Sequence, residues 1–471
     1  MKLRKILLLI AILGFGGIVE TARVVRGHAD LGPTGCRVLA GKFYGPSFTF
    51  ESGQRHAVPA GTALEVQNAF GAVRVGRGAP GEVHLKLRTV VFRDTEEQAR
   101  AFSDQVRATA EMAGTSLRVA TNRRDLERRD SRIGFETHLE LSVPPDTAVT
   151  VRNEHGAVDV ADVAAADVWG SFEAIRLARV AGPAVVKGQH GDVWVSGVQG
   201  ALSLTSRHGA VEVEDVVDPG TIEARHGGVT ARRTGALTVD AHYGDVQVES
   251  VRGNLEVRAQ HAAVQARDVA GSVLVESSFG DVEVEQVTGE ARTRVEHGRV
   301  TVRDVKGPVF ARANFNDVVL ARIGGAVEVS VNHGGVQAEA LENGGRVEAT
   351  GNEVTIDGFR GPLAVQAQRG SVRLIPAAAL EWPLTVSATH GGIRLEVPAG
   401  GHFELEAAAQ RGELSVNVPG LTITQSEGTR LTGRLGKGGP LLKLTAENGD
   451  VRVEPRVEVA HEQSPPPTAR P

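Results

Sequence analysis

The feature that most constrains this chain is an internal repeat of 17 or 18 residues. The segments RHGAVEVEDVVDPGTIEA (207–224) and EHGRVTVRDVKGPVFARA (296–313) share a His-Gly pair, alternating aliphatic residues, a later glycine and two more apolar positions. Alignment on the glycine of the pair gives thirteen successive units, with Gly156 in the first and Gly370 in the last. A unit this short cannot bury its own apolar face, so neighbouring units must stack and share one core.

Within each unit apolar residues alternate with polar ones, which is typical of strands. Two residues after the aligned glycine every unit has valine or isoleucine, and a second short strand follows a mid-unit glycine, as at Gly200 and Gly325. We therefore predict an all-β fold, a parallel β-solenoid (β-helix) of about 18 residues per coil, with its repeats over residues 151–420. A right-handed coil is favoured, and the period leaves a left-handed coil open.

The aligned glycine is expected to form a corner between strands, because glycine adopts positive φ at little cost. Other residues occupy this position in four units, namely Glu173, Ala262, Asn316 and Asn352. Asparagine tolerates the left-handed region better than most residues. We therefore expect the two asparagines to share a positive φ with the glycines.

The chain outside the repeats divides into shorter segments. Residues 1–27 combine a basic start with an apolar run from Ile6 to Val19, which predicts a signal peptide or an N-terminal membrane anchor. We expect residues 28–42 to be a linker, residues 421–457 to form irregular C-terminal coils and a cap, and residues 458–471 to be a disordered tail. The start of the chain therefore favours an exported protein of the periplasm, cell envelope or cell surface.

Residues 43–150 are expected to form a strand-rich N-terminal cap, because an uncovered solenoid end is an open sheet edge. One helix is predicted in this cap, over residues 94–113. Asp94 is a candidate N-cap, apolar residues recur with helical spacing from Ala99 to Ala110, and Gly114 follows. The basic segment after it, NRRDLERRDSR, is expected to be a loop between strands.

Composition excludes some classes of function. The net charge of −5 over 471 residues argues against a nucleic-acid binder, which normally carries a basic face. Aromatic residues make up only 4% of the chain, so small aliphatic residues must fill the core. Cys36 is the only cysteine, so the chain cannot form an internal disulfide.

The repeat unit, written HGDVxVxxVxG, resembles the bacterial putative-adhesin family of unknown function. The lead-in Pro144-Pro145-Asp146 and the export-type start are also similar to that family, and the resemblance covers roughly residues 48–455. It implies a β-solenoid domain of a cell-envelope protein. It brings no catalytic residues to this chain.

The residue before the aligned glycine forms a column of its own. Three consecutive units carry His190, His208 and His226 there, and imidazole is a ligand for zinc, copper or nickel. Phenylalanine and tyrosine occupy the same position in other units, so a stack of planar rings is favoured over a metal site. Stacked imidazolium charges repel one another, so we expect the pKa values of these histidines to lie below the usual value of about 6.5.

A second column, six residues after the aligned glycine, contains the carboxylates Asp162, Asp215, Asp268 and Asp304. Carboxylates suggest calcium, but Arg179, Arg233 and Arg322 each follow an aspartate in the same column. Opposite charges on neighbouring strands pair with each other and would expel a cation. We therefore predict no metal site and no cofactor.

Carbohydrate-cleaving β-helices build a groove from inserted loops, whereas the units from residue 156 to residue 370 carry no insertion. We expect a non-catalytic exported β-solenoid, a structural or adhesin-like interaction module of the bacterial cell envelope without catalytic residues. An envelope protein or a surface glycan would be its partner. The alternative is a membrane-tethered periplasmic sensory or scaffold domain, and a carbohydrate-active enzyme is least favoured.

Overall fold

The computed structural model describes residues 46–129 and 134–456. Over these residues the chain is mostly β, a β-solenoid of about 14 turns with about 18 residues per turn and two short helices. The predicted fold class is therefore confirmed, while the handedness and the domain limits stay predictions. The segments expected to be signal or anchor (1–27), linker (28–42, with Cys36) and tail (458–471) lie outside the described residues.

The strands are numbered in chain order. The first twenty are β1 (Ser47–Ala57), β2 (Ala63–Phe70), β3 (Val73–Arg77), β4 (Glu82–Phe92), β5 (Ala108–Ala113), β6 (Ser116–Thr121), β7 (Phe135–Val143), β8 (Ala148–His155), β9 (Val158–Val163), β10 (Ala165–Gly170), β11 (Ile175–Val180), β12 (Ala184–His190), β13 (Val193–Val198), β14 (Leu202–His208), β15 (Val211–Val216), β16 (Gly220–His226), β17 (Val229–Thr234), β18 (Leu237–Tyr243), β19 (Val246–Val251) and β20 (Leu255–His261). The others are β21 (Val264–Val269), β22 (Val273–Phe279), β23 (Val282–Val287), β24 (Ala291–His297), β25 (Val300–Val305), β26 (Val309–Ala313), β27 (Val318–Ile323), β28 (Val327–Val331), β29 (Val336–Leu341), β30 (Gly345–Ala349), β31 (Val354–Phe359), β32 (Leu363–Arg369), β33 (Val372–Pro376), β34 (Leu384–His390), β35 (Ile393–Val397), β36 (Phe403–Ala409), β37 (Leu414–Val416), β38 (Leu421–Glu427), β39 (Arg430–Leu435), β40 (Leu441–Asn448) and β41 (Val451–Pro455).

Each turn of the repeat region contributes one strand to each of two parallel sheets. The odd-numbered strands from β9 to β35 belong to sheet A, and the even-numbered strands from β8 to β36 belong to sheet B. Neighbouring strands of a sheet come from successive coils and pair at equivalent positions, so Val246 pairs with Val229 on one side and with Val264 on the other. All three valines are at most 1% exposed, and burying each one stabilises the fold by about 1.5–3 kcal/mol.

Sheet A strands end in a corner that the sequence pattern did not reveal. The penultimate residue of each strand has a positive φ in twelve successive coils, although only two of the twelve are glycines. These residues are Asp162, Arg179, Gly197, Asp215, Arg233, Ser250, Asp268, Gln286, Asp304, Arg322, Ala340 and Gly358. A left-handed residue at this point leaves two consecutive side chains outside and turns the next one inward, as the burial of β9 shows. We call these residues the left-handed column.

The corner glycines of the His-Gly pairs are required mainly by close stacking. A Cβ on Gly209, whose φ is +115°, would lie 2.3 Å from the carbonyl oxygen of Gly191 in the preceding coil. The expectation for the asparagines is wrong, because neither Asn316 nor Asn352 is among the described residues with positive φ.

The first coil of the stack is out of sequence order. Strand β2 lies between β6 and β8 in sheet B, and β3 lies between β7 and β9 in sheet A. The coil of residues 63–77 therefore stacks directly on the coil of residues 148–163, and β6 and β7 add outside it. Strand β5 then pairs antiparallel with β6.

The other end of the stack repeats this arrangement. Strand β40 lies between β34 and β36, and β41 lies between β35 and β37. The coil of residues 441–455 is thus inserted between two coils that precede it in the chain. Strands β39 and β38 then continue sheet B in antiparallel fashion beyond β36.

The chain divides into two compact units. One contains the described parts of Met1–Ser52, Arg88–Arg107 and Asn122–Thr137, and the other contains the solenoid. The smaller unit holds helices α1 (Glu96–Ser103) and α2 (Arg123–Arg129). Neither of these helices of the described chain is long and apolar enough to cross a membrane.

The helix predicted over residues 94–113 is wrong in extent. Helix α1 has only eight residues, and its N-cap is Thr95, whose side chain accepts a hydrogen bond from the backbone N–H of Gln98 at 3.3 Å. Residues Ala108–Ala113 form strand β5 instead, because pairing with β6 outweighs the high intrinsic helix propensity of this Ala-rich stretch.

The second helix was not predicted, since its sequence was expected to be a loop. Leu126 and Arg123 are its buried residues. The Arg123 guanidinium pairs with Glu127 at 2.8 Å, lies over the ring of Phe135 and donates to the carbonyl oxygen of that residue. Burial lowers the pKa of Arg123, and the neighbouring Glu127 opposes that shift.

Candidate interaction surfaces

The predicted column of rings is a continuous stack, which we call the ring ladder. Its members are Phe70, His155, Phe172, His190, His208, His226, Tyr243, His261, Phe279, His297, Phe315 and His333. Neighbouring centroids are 4.4–5.4 Å apart, and from His155 onward the planes lie within 15° of each other. The stack is on the order of 50 Å long.

The ring ladder is exposed to solvent at the ring edges. Its phenylalanines and its tyrosine are 39–53% exposed, and the faces of the inner rings are covered by the next ring in the stack. A sugar packs against the face of an aromatic ring, so the inner rings offer it no platform. Edges bearing imidazole nitrogens and a tyrosine hydroxyl favour hydrogen bonds to polar groups of a partner.

The metal alternative for the three neighbouring ladder histidines, His190, His208 and His226, does not fit their geometry. A metal ion lies in the plane of each imidazole that binds it, about 2.0–2.1 Å from the nitrogen. These rings are parallel within 5° at centroid distances of 4.8 and 4.9 Å, so their lone pairs do not converge. No group of at least three His, Cys, Asp or Glu side chains in the described chain is arranged to hold a metal ion.

The middle histidine of the three has a perturbed acidity. Burial lowers the pKa of His208 below its usual value of 6.5, and the charges of His190, His226 and Arg207 lower it further. The predicted direction is therefore confirmed for His208. Repulsion between imidazolium groups, which we expected to be the main cause, comes second to burial.

The aspartates of the left-handed column pair with arginines of the next coil, as the alternation of sign predicted. Asp162 accepts two hydrogen bonds of 2.7 Å from Arg179, and Asp215 accepts bonds of 2.7 and 2.9 Å from Arg233. Asp304 and Arg322 form the same bidentate pair, while Asp268 accepts from Ser250 at 2.8 Å. These carboxylates are therefore occupied by protein donors, which disfavours calcium.

The bidentate pairs change the acidity of both partners. Hydrogen bonds from the arginines lower the pKa values of Asp162, Asp215 and Asp304. The same bonds raise the pKa values of Arg179, Arg233 and Arg322. Each pair therefore stays ionised at neutral pH and links one coil to the next.

A third column, on the outer wall of sheet A, was missed. Six successive coils place alternating charges side by side: Glu214, Arg232, Glu249, Arg267, Glu285 and Arg303. Arg232 lies 3.2 Å from Glu214, and Arg267 and Arg303 each lie 3.1 Å from Glu285. Reading the position five residues after the aligned glycine in every unit would have revealed this charge ladder.

A cavity of about 210 Å³ lies where the repeat first lengthens. The unit from Gly370 to Gly391 has 21 residues, and the additional residues lie between β33 and β34. The cavity is lined by Phe359, Arg360, Pro376, Leu380, Glu381 and Trp382, among others. The cavity was not predicted, although the change of spacing in the sequence was a signal for it.

A family profile and a solved structure match this chain. The sequence profile of the Toastrack DUF4097 family matches residues 82–454. A crystal structure of a putative cell adhesion protein from Clostridium sporogenes ATCC 15579 matches 86% of this chain and 100% of its own, at 8% identity and a TM-score of 0.12. A search of curated proteins gave no match. On the extent of the profile match, the chain is a member of the Toastrack DUF4097 family, which confirms the resemblance stated above.

Proposed function

We propose that this protein is a non-catalytic, exported β-solenoid that acts as a structural and interaction module of the bacterial cell envelope. The observation that supports this role most strongly is that surface side chains bond from coil to coil. The ring ladder, the Asp–Arg pairs and the charge ladder each run along the stack rather than converging on a single point. Such a surface stiffens the array and repeats the same chemistry over many coils.

An envelope protein is favoured over a glycan as the partner. The inner faces of the ladder rings are covered, which removes the usual platform for a sugar. The ring edges and the charge ladder instead present a long polar surface with alternating sign. Charge patterns of this kind give specificity to a protein–protein interface.

A cross-linking experiment tests the interaction role. A photoreactive residue replaces Tyr243 in the ring ladder or, as a matched probe of the sheet A wall, Thr301. In cells that export the full chain, we expect cross-links to a discrete envelope protein from one of the two surfaces. Absence of cross-links from both positions would contradict an interaction module.

The non-catalytic part of the proposal has its own test. The purified chain is incubated with pectin, alginate and other envelope polysaccharides, and we expect no depolymerisation. A reproducible activity that disappears when one acidic residue is changed would contradict the proposal. Protease accessibility of the chain in intact cells and in spheroplasts tests export; digestion only after full lysis would contradict it.

A further inference from the structure

The lengthened coil forms an apolar cavity with one exposed aromatic wall. Trp382 is 44% exposed, whereas Leu380 and Phe359, which also line the cavity, are at most 8% exposed. An apolar cavity of about 150 Å³ is enough to hold benzene, so this one has room for a small ring. A half-exposed tryptophan beside such a space is a typical contact for a ligand that is mostly apolar.

The described chain ends at the same corner of the solenoid. Strands β33, β35 and β41 are neighbours in sheet A, so the end of β41 lies two coils, about 10 Å, from the end of β33. Arg456, the last described residue, donates its backbone N–H to Val397 at 2.9 Å and its Nη1 to the carbonyl oxygen of Pro376 at 3.3 Å. Pro376 is itself part of the cavity wall.

The sequence after Arg456 has the chemistry that suits this cavity. It contains Pro465, Pro466 and Pro467, with Arg470 close behind them. Proline-rich segments are recognised in aromatic-lined grooves, because their extended helix is formed in advance and loses little entropy on docking. Nine residues from Arg456 to Pro465 can span up to about 28 Å in that conformation, well beyond the distance required.

We propose that the proline-rich segment 464–471 docks in the cavity of its own chain, with a proline ring against Trp382. Opposite charges support the same placement, since Glu381 lines the cavity and Arg470 follows the prolines. Docking would cover the exposed indole. The proposal does not depend on the envelope role proposed above.

Fluorescence quenching tests this docking in the full-length chain. Trp169→Phe and Trp194→Phe leave Trp382 as the only tryptophan. Changing all three prolines of 465–467 to serine is expected to raise the acrylamide quenching constant of Trp382 about twofold, because the indole loses its cover. The control Gln463→Ser should leave quenching unchanged. Equal quenching with and without the prolines would overturn the proposal.

A disulfide trap separates docking within one chain from docking between chains. Ala379→Cys and Pro466→Cys are combined in a Cys36→Ser background, and we expect an intramolecular cross-link whose yield is independent of protein concentration. Thr301→Cys in place of Ala379→Cys is the control and should give none. Cross-linked dimers alone would assign the segment to another copy and overturn docking in cis.

Discussion

Replacing Thr234 by valine should stabilise the solenoid. Within the described structure its hydroxyl is buried and has no hydrogen-bond partner, and the side chain is only 1% exposed. Its register partners in the coils on either side are Val216 and Val251. The site is therefore shaped for valine, and the polar hydroxyl is a local defect in an apolar column.

The expected gain follows from the desolvation of that hydroxyl. An unpaired buried polar group costs about 1–3 kcal/mol, and the valine methyl fills nearly the same volume. Thr234→Val should therefore raise the free energy of unfolding by about 1–2 kcal/mol. Thr293 has the same kind of buried hydroxyl between Val275 and Ala311. Because the two sites lie several coils apart, the double variant should gain roughly the sum.

Urea denaturation followed by circular dichroism measures the effect. A higher midpoint with an unchanged slope indicates a change in stability alone. Thr301→Val on the outer wall is the matched control, and its effect should stay within about 0.5 kcal/mol. If Thr234→Val leaves the midpoint unchanged or lowers it, the hydroxyl has a partner or the column is not apolar, and the reasoning is refuted.

Three further predictions concern the core, the corners and the ring ladder. Val246→Asp should cost several kcal/mol because it buries an unpaired charge, while Val246→Ile should cost at most about 1–3 kcal/mol; wild-type melting of the Asp variant would show that this residue does not face inward. Ala340→Gly should add about 1 kcal/mol by relieving a positive φ, whereas Ala178→Gly in an ordinary strand should cost about 0.5–1 kcal/mol; equal effects in urea denaturation would argue against strain at Ala340. Since the folded pKa of His208 lies below 6.5, the unfolded chain binds protons more readily, and the melting temperature should fall between roughly pH 6.5 and 5. Changing the three neighbouring ladder histidines to phenylalanine should reduce that fall, and an equal fall would point to other groups.

The repeated strands were predictable because each coil repeats the same local pattern. The columns that contain Val246 and His208 could be predicted from the spacing of the units alone. The ends of the solenoid were not predictable in this way. Strand β2 pairs with strands that come later in the chain, and β40 lies between two strands that come earlier. Such long-range pairing leaves no signal in the local sequence. The predicted helix extended too far for a related reason, because pairing with β6 makes Ala108–Ala113 a strand.

The candidate surfaces were predicted less completely than the fold. The stacking of His190 on His208 and the pairing of Asp162 with Arg179 follow from register alone, so the columns revealed them. The positive φ of Ala340 could not be predicted, since alanine has no preference for that region. The cavity beside Trp382 depends on how an irregular loop packs. The change of spacing gives the position of this loop in the chain but not its conformation.

Deletion of one whole coil tests most directly whether the coils are equivalent stacking units. Removing residues 246–263 joins Asp245 to Val264 and keeps every column in register. The shortened chain should retain its β circular dichroism spectrum and a cooperative urea transition, because each coil contacts mainly its neighbours. Removing only residues 246–254 should unfold the central coils, since it puts strand β20 of sheet B in the place of β19 of sheet A and shifts every later strand to the wrong sheet. If the whole-coil deletion loses its cooperative transition as the half-coil deletion does, the coils are not interchangeable and the stacking interpretation is contradicted.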